Sequence, residues 1–271
     1  MQSWRFLPYR VHTPAENMAI DEAILHVHRE GRVPPTVRFY GWNPATLSIG
    51  YFQRVDKEVV LERIRSRGLG FVRRMTGGRA VLHDKELTYS VVVSEDHPLM
   101  PPTVSESYRV ISQALLEGYR LLGLKAELSL PESGRREAAS AACFDSPSDY
   151  ELVIEGRKAA GSAQTRQRGV ILQHGSVLVD LDEDLLFDVL RFPNEQVKER
   201  LKRSFSEKAV AINQLRSPGA SMEEVIKAFF EGFERGMGIR LEPGELTEEE
   251  REVADRLVRE KYGTDDWNRK K

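Results

Sequence analysis

The chain has 271 residues, of which 40% are hydrophobic and 30% are charged, and its formal net charge is −2. At about 150 residues per domain this length allows one or two domains, and a chain this long forms a core without disulfides or metals. The near-zero charge gives no electrostatic basis for binding nucleic acid. No apolar run approaches the roughly 18 residues of a membrane helix. We therefore expect a folded protein that binds neither nucleic acid nor membrane.

The chain contains one cysteine, which excludes an internal disulfide. The segment Met1–Tyr9 is not the basic and then apolar pattern of a secretion signal. Both features favour a reducing compartment, and we expect a cytoplasmic protein.

Helix signals come first along the chain. Thr13 and Glu16 have the spacing of a capping box, with Pro14 at the first helical position, which predicts a helix from residue 14. A second capping box at Thr103 begins an amphipathic helix that ends at Gly123. Between the two helices, four short runs have β-type composition: Val37–Tyr40, Thr46–Tyr51, Gly70–Arg74 and Leu87–Val93.

The second half of the chain predicts strands and then helices. The strand candidates, separated by Glu155-Gly156 and Arg168-Gly169 turns, suggest a meander of hairpins: Tyr150–Ile154, Arg157–Ala163 and Val170–Val179. The helix candidates follow: Asp182–Leu190, Ser221–Phe233 and Thr247–Tyr262. Strands grouped apart from helices predict an α+β fold with a mixed, largely antiparallel sheet. We predict one domain over 1–271, with a core at about 33–245 and a C-terminal helical segment at 246–271.

Cys143 is the first candidate for chemistry. A single cysteine is more often a small buried hydrophobic residue than a nucleophile. Here it lies among small, polar, turn-forming residues outside the predicted strands. A loop cysteine becomes a nucleophile at neutral pH when a nearby cation favours the thiolate.

Lys158 is a candidate for that cation. Most lysines are solvated surface charges. Lys158, however, precedes the small residues of 159–163, which let a ligand approach closely. The turn at Glu155-Gly156 leads the chain back toward Cys143, so the topology permits the two side chains to meet.

The segment from Arg73 to Asp84 contains paired glycines between arginines. Its backbone amides could approach an anion or a carbonyl oxygen while the arginines supply charge. The alternative is a Gly-Gly hairpin turn with solvated arginines, and the spacing fits neither of the common nucleotide-binding glycine motifs. The histidines have no metal-ligand spacing, and no metal is expected. His83 and His174, the two nearest the other candidates, fit a structural role better than a catalytic one.

Together, four segments resemble the superfamily of lipoate-protein ligases and octanoyltransferases, which shares a catalytic fold with the biotin protein ligases. These segments are 17–23, 73–84, 156–164 and 261–268. They span almost the whole chain in the family's order. The resemblance implies a biotin/lipoate protein ligase-like catalytic domain, of the α+β class, with a mixed sheet flanked by helices.

Within the superfamily, the residues around Cys143, 164–167 and 172–176 most resemble the cysteine-dependent octanoyltransferases. The resemblance implies that octanoyl passes from octanoyl-acyl carrier protein to Cys143 and then to a lysine of a lipoyl domain. The first acceptor would be the glycine cleavage H protein. This ping-pong chemistry needs no cofactor, and we expect a monomer.

The resemblance also implies the roles of individual residues. Cys143 would be the nucleophile, and Lys158 would lower the pKa of its thiol and stabilise the developing oxyanion. The substrate would be bound by a further set: Arg73, Arg74, Thr76, Gly77, Gly78, Arg79, His83 and Gly161.

Three other functions remain open. An ATP-dependent lipoate ligase would use Lys158 against an acyl adenylate, but Arg79 replaces the third glycine of that branch and no accessory domain follows Trp267. An amidotransferase would move octanoyl between lipoyl domains by the same cysteine chemistry. A binding protein without activity would sequester acyl chains or lipoyl domains.

Overall fold

The structure is a computed structural model that describes residues 1–129 and 151–270. Cys143 and the first residue of the predicted strand Tyr150–Ile154 lie outside these ranges. The described strands are β1 (Gln2–His12), β2 (Thr36–Trp42), β3 (Thr46–Ile49), β4 (Gly70–Arg73), β5 (Val81–His83), β6 (Glu86–Ser94), β7 (Ala126–Ser129), β8 (Glu151–Ile154), β9 (Arg157–Lys158), β10 (Ala160–Gln167), β11 (Val170–Leu178) and β12 (Ile239–Pro243).

The described helices divide between long elements that flank the sheets and short connecting turns. They are α1 (Pro14–Arg29), α2 (Val55–Glu58), α3 (Leu61–Ser66), α4 (Val104–Leu121), α5 (Glu183–Val189), α6 (Glu195–Lys208), α7 (Ile212–Leu215), α8 (Met222–Met237), α9 (Glu248–Leu257) and α10 (Asp265–Asn268). A π-helical turn, Val258–Tyr262, continues α9.

A six-stranded sheet forms the centre, in the order β10-β11-β6-β2-β1-β12. The pairs from β10 to β2 are antiparallel, and β1 pairs in parallel with β2 and β12. Two three-stranded sheets accompany it, in the orders β4-β3-β5 and β7-β8-β9. The α+β prediction with a mixed, largely antiparallel sheet is confirmed.

The central sheet has one apolar and one polar buried face. Phe39, Tyr89 and Val91 belong to a core cluster with residues of α4 and α8. Alternation along the strands then turns Tyr40, Thr88 and Ser90 to the opposite face. That second face packs against α1 and carries the site described below.

The predicted starts of α1 and α4 agree with the structure. Thr13 and Glu16 form the capping box of α1, and the Thr103 side chain accepts from the Glu106 amide at the start of α4. Gly123, after α4, has φ +80°, a conformation that glycine adopts without a Cβ penalty.

The predicted strand Arg157–Ala163 is instead two strands in different sheets. β9 pairs with β8, whereas β10 pairs with β11. Ala159 marks the crossover, where its amide donates to the Leu152 carbonyl and its carbonyl accepts from the Tyr119 hydroxyl. The single meander was therefore wrong.

The predicted core at 33–245 did not include β1, which the structure inserts between β2 and β12. The C-terminal segment is helical in α9, in the π turn and in α10. The assignment of one domain stays a prediction.

Candidate active site

A pocket of about 340 Å³ opens on the polar face of the central sheet. Its apolar and small lining residues are Met18, Tyr40, Trp42, Val81, Gly161, Ala163 and Gly175. Its polar lining residues are Arg74, His83, Thr88, Ser162, His174 and Ser176.

The strand register explains which residues form the pocket wall. Gly161 of β10 lies opposite Ser176 of β11, which in turn lies opposite Thr88 of β6. Thr88 is opposite Tyr40 of β2. Gly161 and Ala163 carry little or no side chain, so this part of the wall is left open rather than filled.

The Gly77-Gly78 loop crosses from one side of β3 to the other. It connects β4 and β5, which pair with opposite edges of β3 and not with each other. The hairpin alternative is therefore wrong. Gly78 has φ +90°, and a Cβ on Gly50 would lie only 2.1 Å from the Gly78 carbonyl oxygen. The loop thus needs glycine both for its turn and for its close approach to the end of β3.

Arg74 holds this loop from inside. Its guanidinium donates to the carbonyl oxygens of Gly77 at 3.2 Å and of Arg79 at 2.8 Å. It also donates to the Ser48 hydroxyl at 2.6 Å. Because Arg74 also lines the pocket, it joins the loop conformation to the pocket wall.

Thr76 contacts the pocket through His174. Thr76 Oγ1 is 2.6 Å from His174 Nε2, and His174 Nδ1 is 3.3 Å from Asp21 Oδ2. Arg38 and the hydroxyls of Tyr40 and Ser90 also donate to the Asp21 carboxylate. The result is a buried polar network that ties the glycine loop to α1 and the sheet.

The charges in this network determine the protonation states of Asp21 and His174. Burial acts to raise the pKa of Asp21, but Arg38 and the hydrogen bond from His174 outweigh burial, so the pKa is lowered. Burial lowers the pKa of His174, although Asp21 acts in the opposite direction. We therefore assign an ionised Asp21 and a neutral His174 whose Nδ1 donates to Asp21 and whose Nε2 accepts from Thr76.

His83 is a second buried histidine in the pocket wall. Its Nε2 is 2.7 Å from the Ser48 hydroxyl, and its Nδ1 is 3.2 Å from Glu86 Oε1. The imidazole stacks on Trp42 with ring centroids 4.2 Å apart. These contacts hold the ring in one orientation at the pocket surface.

Arg73 is fully buried but is not part of the pocket lining. Its guanidinium donates to main-chain carbonyls of Gly50, Tyr51 and Gln53. It also donates to carbonyls at the C-terminal end of the described chain, at residues 267 and 270. Arg73 thus fixes α10 against the loop after β3.

Arg79 lies at the protein surface. Its side chain is 38% exposed and lies 3.7 Å from Glu58. The side chain is not in the pocket lining, and its main-chain carbonyl contributes to the site through the bond from Arg74.

Lys158 is a buried cation at the end of β9, with 6% of its surface exposed. Its Nζ lies 3.0 Å from Glu151 Oε1. The Val210 amide donates to its carbonyl at 3.0 Å, which anchors the main chain. Gly161 of the pocket follows three positions later in the sequence. Cys143 lies outside the described residues.

The structure therefore brings Arg74, His83 and Gly161 into the pocket wall, with Thr76, Gly77 and Gly78 directly behind it. The sequence analysis gave no role to several residues that the site uses: Met18, Asp21, Tyr40, Trp42, Thr88, Glu151 and Ser176. Alternation in β2 and β6 was the available signal for three of them, because it turns Tyr40, Trp42 and Thr88 to one face. His174 had been assigned only a structural role.

Within residues 1–129 and 151–270, no group of three His, Cys, Asp or Glu side chains is placed to hold a metal ion. In the same part of the chain, no helix combines the length and the apolar character that crossing a bilayer requires.

Comparisons with known proteins show which proteins this chain is similar to in sequence. Octanoyltransferase LipM of Geobacillus kaustophilus is 62% identical over 273 residues, which cover 99% of this chain and 98% of that protein. Octanoyltransferase LipM of Bacillus subtilis is 56% identical over 275 residues, which cover 100% and 99%.

Solved structures agree with the sequence relatives. The bipartite lipoate protein ligase of Thermoplasma acidophilum superposes with a TM-score of 0.83 at 29% identity, covering 99% of this chain and 96% of that one. Lipoate-protein ligase A bound with ATP gives a TM-score of 0.81 at 28% identity and covers 99% of both chains. The profile of the lipoyl protein ligase A/B catalytic domain matches residues 13–234. The chain belongs to the lipoyl protein ligase A/B catalytic domain family and, within it, to the octanoyltransferases.

Proposed function

We propose that octanoyl transfer by this chain proceeds through a thioester on Cys143, with octanoyl-acyl carrier protein as donor. The acceptor is a lysine of a lipoyl-domain protein, first of all the glycine cleavage H protein. The enzyme acts in the cytoplasm, as a monomer, in the biosynthesis of protein-bound lipoate.

The reaction has two balanced steps. The Cys143 thiolate attacks the carbonyl carbon of the donor thioester, and the carrier protein leaves as a thiolate that takes up a proton. The neutral amine of the acceptor lysine then attacks the octanoyl thioester on Cys143. An amide forms, the Cys143 thiolate leaves, and the amine loses one proton. A thioester becomes a thioester and then a more stable amide, so ATP is not consumed.

Lys158 supplies the positive charge for both steps. Its ammonium group favours the Cys143 thiolate and stabilises the negative oxygen of each tetrahedral intermediate. The ion pair with Glu151 at 3.0 Å supports this role because it restricts the ammonium group to one position. The same carboxylate offsets part of the lysine charge, so we expect Glu151 to adjust how strongly Lys158 affects the thiol pKa.

The pocket beside β10 carries the proposal, because it offers a partly apolar wall whose residue Gly161 follows Lys158 by three positions. Burial of each methylene of the acyl chain contributes about 0.8 kcal/mol, so an octanoyl chain gains several kcal/mol. Met18, Trp42 and Val81 supply apolar surface, while Gly161 and Ala163 leave room for the chain.

The other predicted substrate-binding residues fall into two groups, those that contact the substrate and those that hold the glycine loop. We propose that the amides of Gly77 and Gly78 orient the thioester carbonyl and that His83 lies against the acyl chain. Arg74 and Thr76 hold the glycine loop, and Arg73 and Arg79 support it from outside the pocket.

An ATP-dependent ligase is the second candidate, supported by the 0.81 TM-score with a ligase bound with ATP. The two functions predict different requirements. The thioester route modifies an H protein with octanoyl-acyl carrier protein and no nucleotide, and Cys143→Ala abolishes the modification. A ligase uses free octanoate or lipoate with ATP and tolerates Cys143→Ala.

The test incubates the wild type and Cys143→Ala with each substrate set: octanoyl-acyl carrier protein without nucleotide, and free octanoate or lipoate with ATP. The mass of the acceptor protein then reports whether it has been modified. The outcome that supports the proposal is nucleotide-free transfer that depends on Cys143. Transfer by Cys143→Ala at the wild-type rate contradicts it. An octanoylated lipoyl domain, supplied instead of the carrier protein, distinguishes the amidotransferase alternative by its rate as donor.

A further inference from the structure

Ser176 presents a buried hydroxyl that lacks a hydrogen-bond partner among the described residues. Only 1% of the residue is exposed. Leaving such a group unpaired costs about 1–3 kcal/mol, so the unpaired hydroxyl points to a ligand atom that pairs with it. By contrast, the buried hydroxyls of Ser48 and Ser90 are paired with His83 and Asp21.

The Ser176 side chain is directed toward the pocket. A Cβ on the preceding residue, Gly175, would lie 2.7 Å from the Tyr89 ring, on the apolar face of the sheet. Alternation along β11 therefore turns Ser176 to the opposite face, where it lines the pocket beside Thr88.

Ser176 also lies opposite the pocket residue that is nearest to Lys158 in the sequence. Its partner on β10 is Gly161, which has no side chain to cover the hydroxyl. Gly161 follows Lys158 by three positions, which span at most about 10 Å of extended chain. The main-chain position of Lys158 is therefore near that of Gly161, which lies opposite Ser176.

We infer that Ser176 is a further catalytic residue, whose hydroxyl donates a hydrogen bond to the carbonyl oxygen of the octanoyl thioester. This inference rests on the proposed thioester route. The chain of an octanoyl group is apolar, and its carbonyl oxygen is the strong hydrogen-bond acceptor that it brings into the pocket. Pairing the hydroxyl with a methylene would leave it unsatisfied, whereas pairing with the carbonyl oxygen removes that cost.

The hydrogen bond strengthens as the reaction proceeds. When the thiolate attacks, the C=O π electrons move onto the oxygen, and the Ser176 hydroxyl then faces a full negative charge. When the intermediate collapses, the double bond re-forms and a thiolate departs: that of the carrier protein in the first step and that of Cys143 in the second. Ser176 keeps its proton throughout, so it assists attack on the donor thioester and on the acyl-enzyme alike.

The test measures the single-turnover rate at which octanoyl-acyl carrier protein acylates the enzyme, followed by intact mass. We expect Ser176→Ala to slow acylation about 100-fold, as removal of one oxyanion donor does, with little change in donor affinity. The matched control is Ser112→Ala, a buried serine of α4 whose hydroxyl, among the described residues, donates to the Tyr108 carbonyl of its own helix. It should react at the wild-type rate.

Stability separates a catalytic from a structural role. Ser176→Ala removes no hydrogen bond between described residues, so its melting temperature should equal or exceed that of the wild type. Ser176→Thr and Ser176→Val form a second pair of nearly equal size, and the threonine variant should react faster because it keeps the hydroxyl.

If Ser176→Ala is acylated at the wild-type rate, or if the threonine and valine variants react at equal rates, the inference about Ser176 is overturned. The thioester route is not affected by either result. A wild-type enzyme that takes up no octanoyl group would instead overturn the thioester route on which the inference depends.

Discussion

The close approach between Gly50 and Gly78 gives a sharp test of the role of the glycine loop. In Gly50→Ala, the new methyl group would begin 2.1 Å from the Gly78 carbonyl oxygen, whereas ordinary contacts begin at 3.4 Å. The backbone must therefore separate by about 1.3 Å. The other nearest atoms also belong to the main chain of the loop, so a side-chain rotation cannot relieve the overlap.

The expected losses follow from this displacement. A misplacement of about 1 Å costs about 100-fold in rate when the displaced groups orient the reacting carbonyl. Overpacking costs about 1–3 kcal/mol of stability. The reduced freedom of the unfolded chain returns about 0.4–1 kcal/mol. We expect kcat for octanoyl transfer to fall about 100-fold, with a free energy of unfolding lowered by about 1–2 kcal/mol.

Gly236→Ala is the matched control. Its methyl group would lie 2.5 Å from the Gln113 carbonyl oxygen, in the packing of α8 against α4 on the other face of the sheet. It should lose stability and keep kcat. Denaturant unfolding and steady-state transfer to an H protein measure both quantities. A Gly50→Ala enzyme with wild-type kcat would refute the proposal that the loop positions the carbonyl.

The remaining predictions concern charged residues. Lys158→Met should slow acylation of the enzyme and move the midpoint of its pH–rate profile up toward about 8.5, the pKa of an unperturbed thiol; an unchanged midpoint would contradict the role of the ammonium group. Asp21→Asn leaves Arg38 buried beside a neutral amide, so urea unfolding should show a loss of about 3–5 kcal/mol, and a loss below 1 kcal/mol would refute this. Because the pKa of His174 is lowered in the folded state, mainly by burial, its contribution to stability is complete above its usual pKa of 6.5 and is lost as the pH falls through the folded-state pKa. The free energy of unfolding should therefore depend less on pH below 6.5 in His174→Gln than in the wild type, and equal slopes would argue against the assignment. Arg73→Lys cannot reach all the carbonyls that the guanidinium binds, so amide hydrogen exchange in α10 should accelerate, whereas unchanged protection would contradict the contact.

Elements with explicit end signals were predictable from the sequence. Thr13 and Glu16 specify the start of α1 by bonds between residues three positions apart, and Thr103 does the same for α4. The grouping of strand candidates apart from helix candidates also predicted the α+β class. Local chemistry suffices in these cases because both partners of each interaction lie within one turn of chain.

The polar network behind the site was not predictable in the same way. Asp21 and His174 are 153 positions apart, and only the packing of α1 on the sheet brings them together. Their residue types are ordinary for exposed positions, so nothing local indicates burial. The register of β11 against β6 decides that His174 faces α1 rather than α4.

The consecutive residues Arg73 and Arg74 have different roles, although both belong to a segment that was correctly singled out. The family resemblance implied that both Arg73 and Arg74 bind substrate. In the structure, Arg74 lines the pocket, whereas Arg73 binds main-chain carbonyls outside it. Successive residues at the end of a strand point to opposite sides, and the sequence does not fix which side holds the ligand. The ion pair of Lys158 with Glu151 was missed for a similar reason, since it depends on how β8 and β9 pair.

The central claim is that Cys143 carries the octanoyl group during transfer. The most direct measurement mixes the enzyme with octanoyl-acyl carrier protein in the absence of nucleotide and acceptor, and then determines the intact mass and the modified peptide. We predict a mass increase of one octanoyl group on the peptide containing Cys143, removed by neutral hydroxylamine and discharged when H protein is added. An enzyme that remains unmodified while it octanoylates H protein, or that is modified at another residue, would contradict the account.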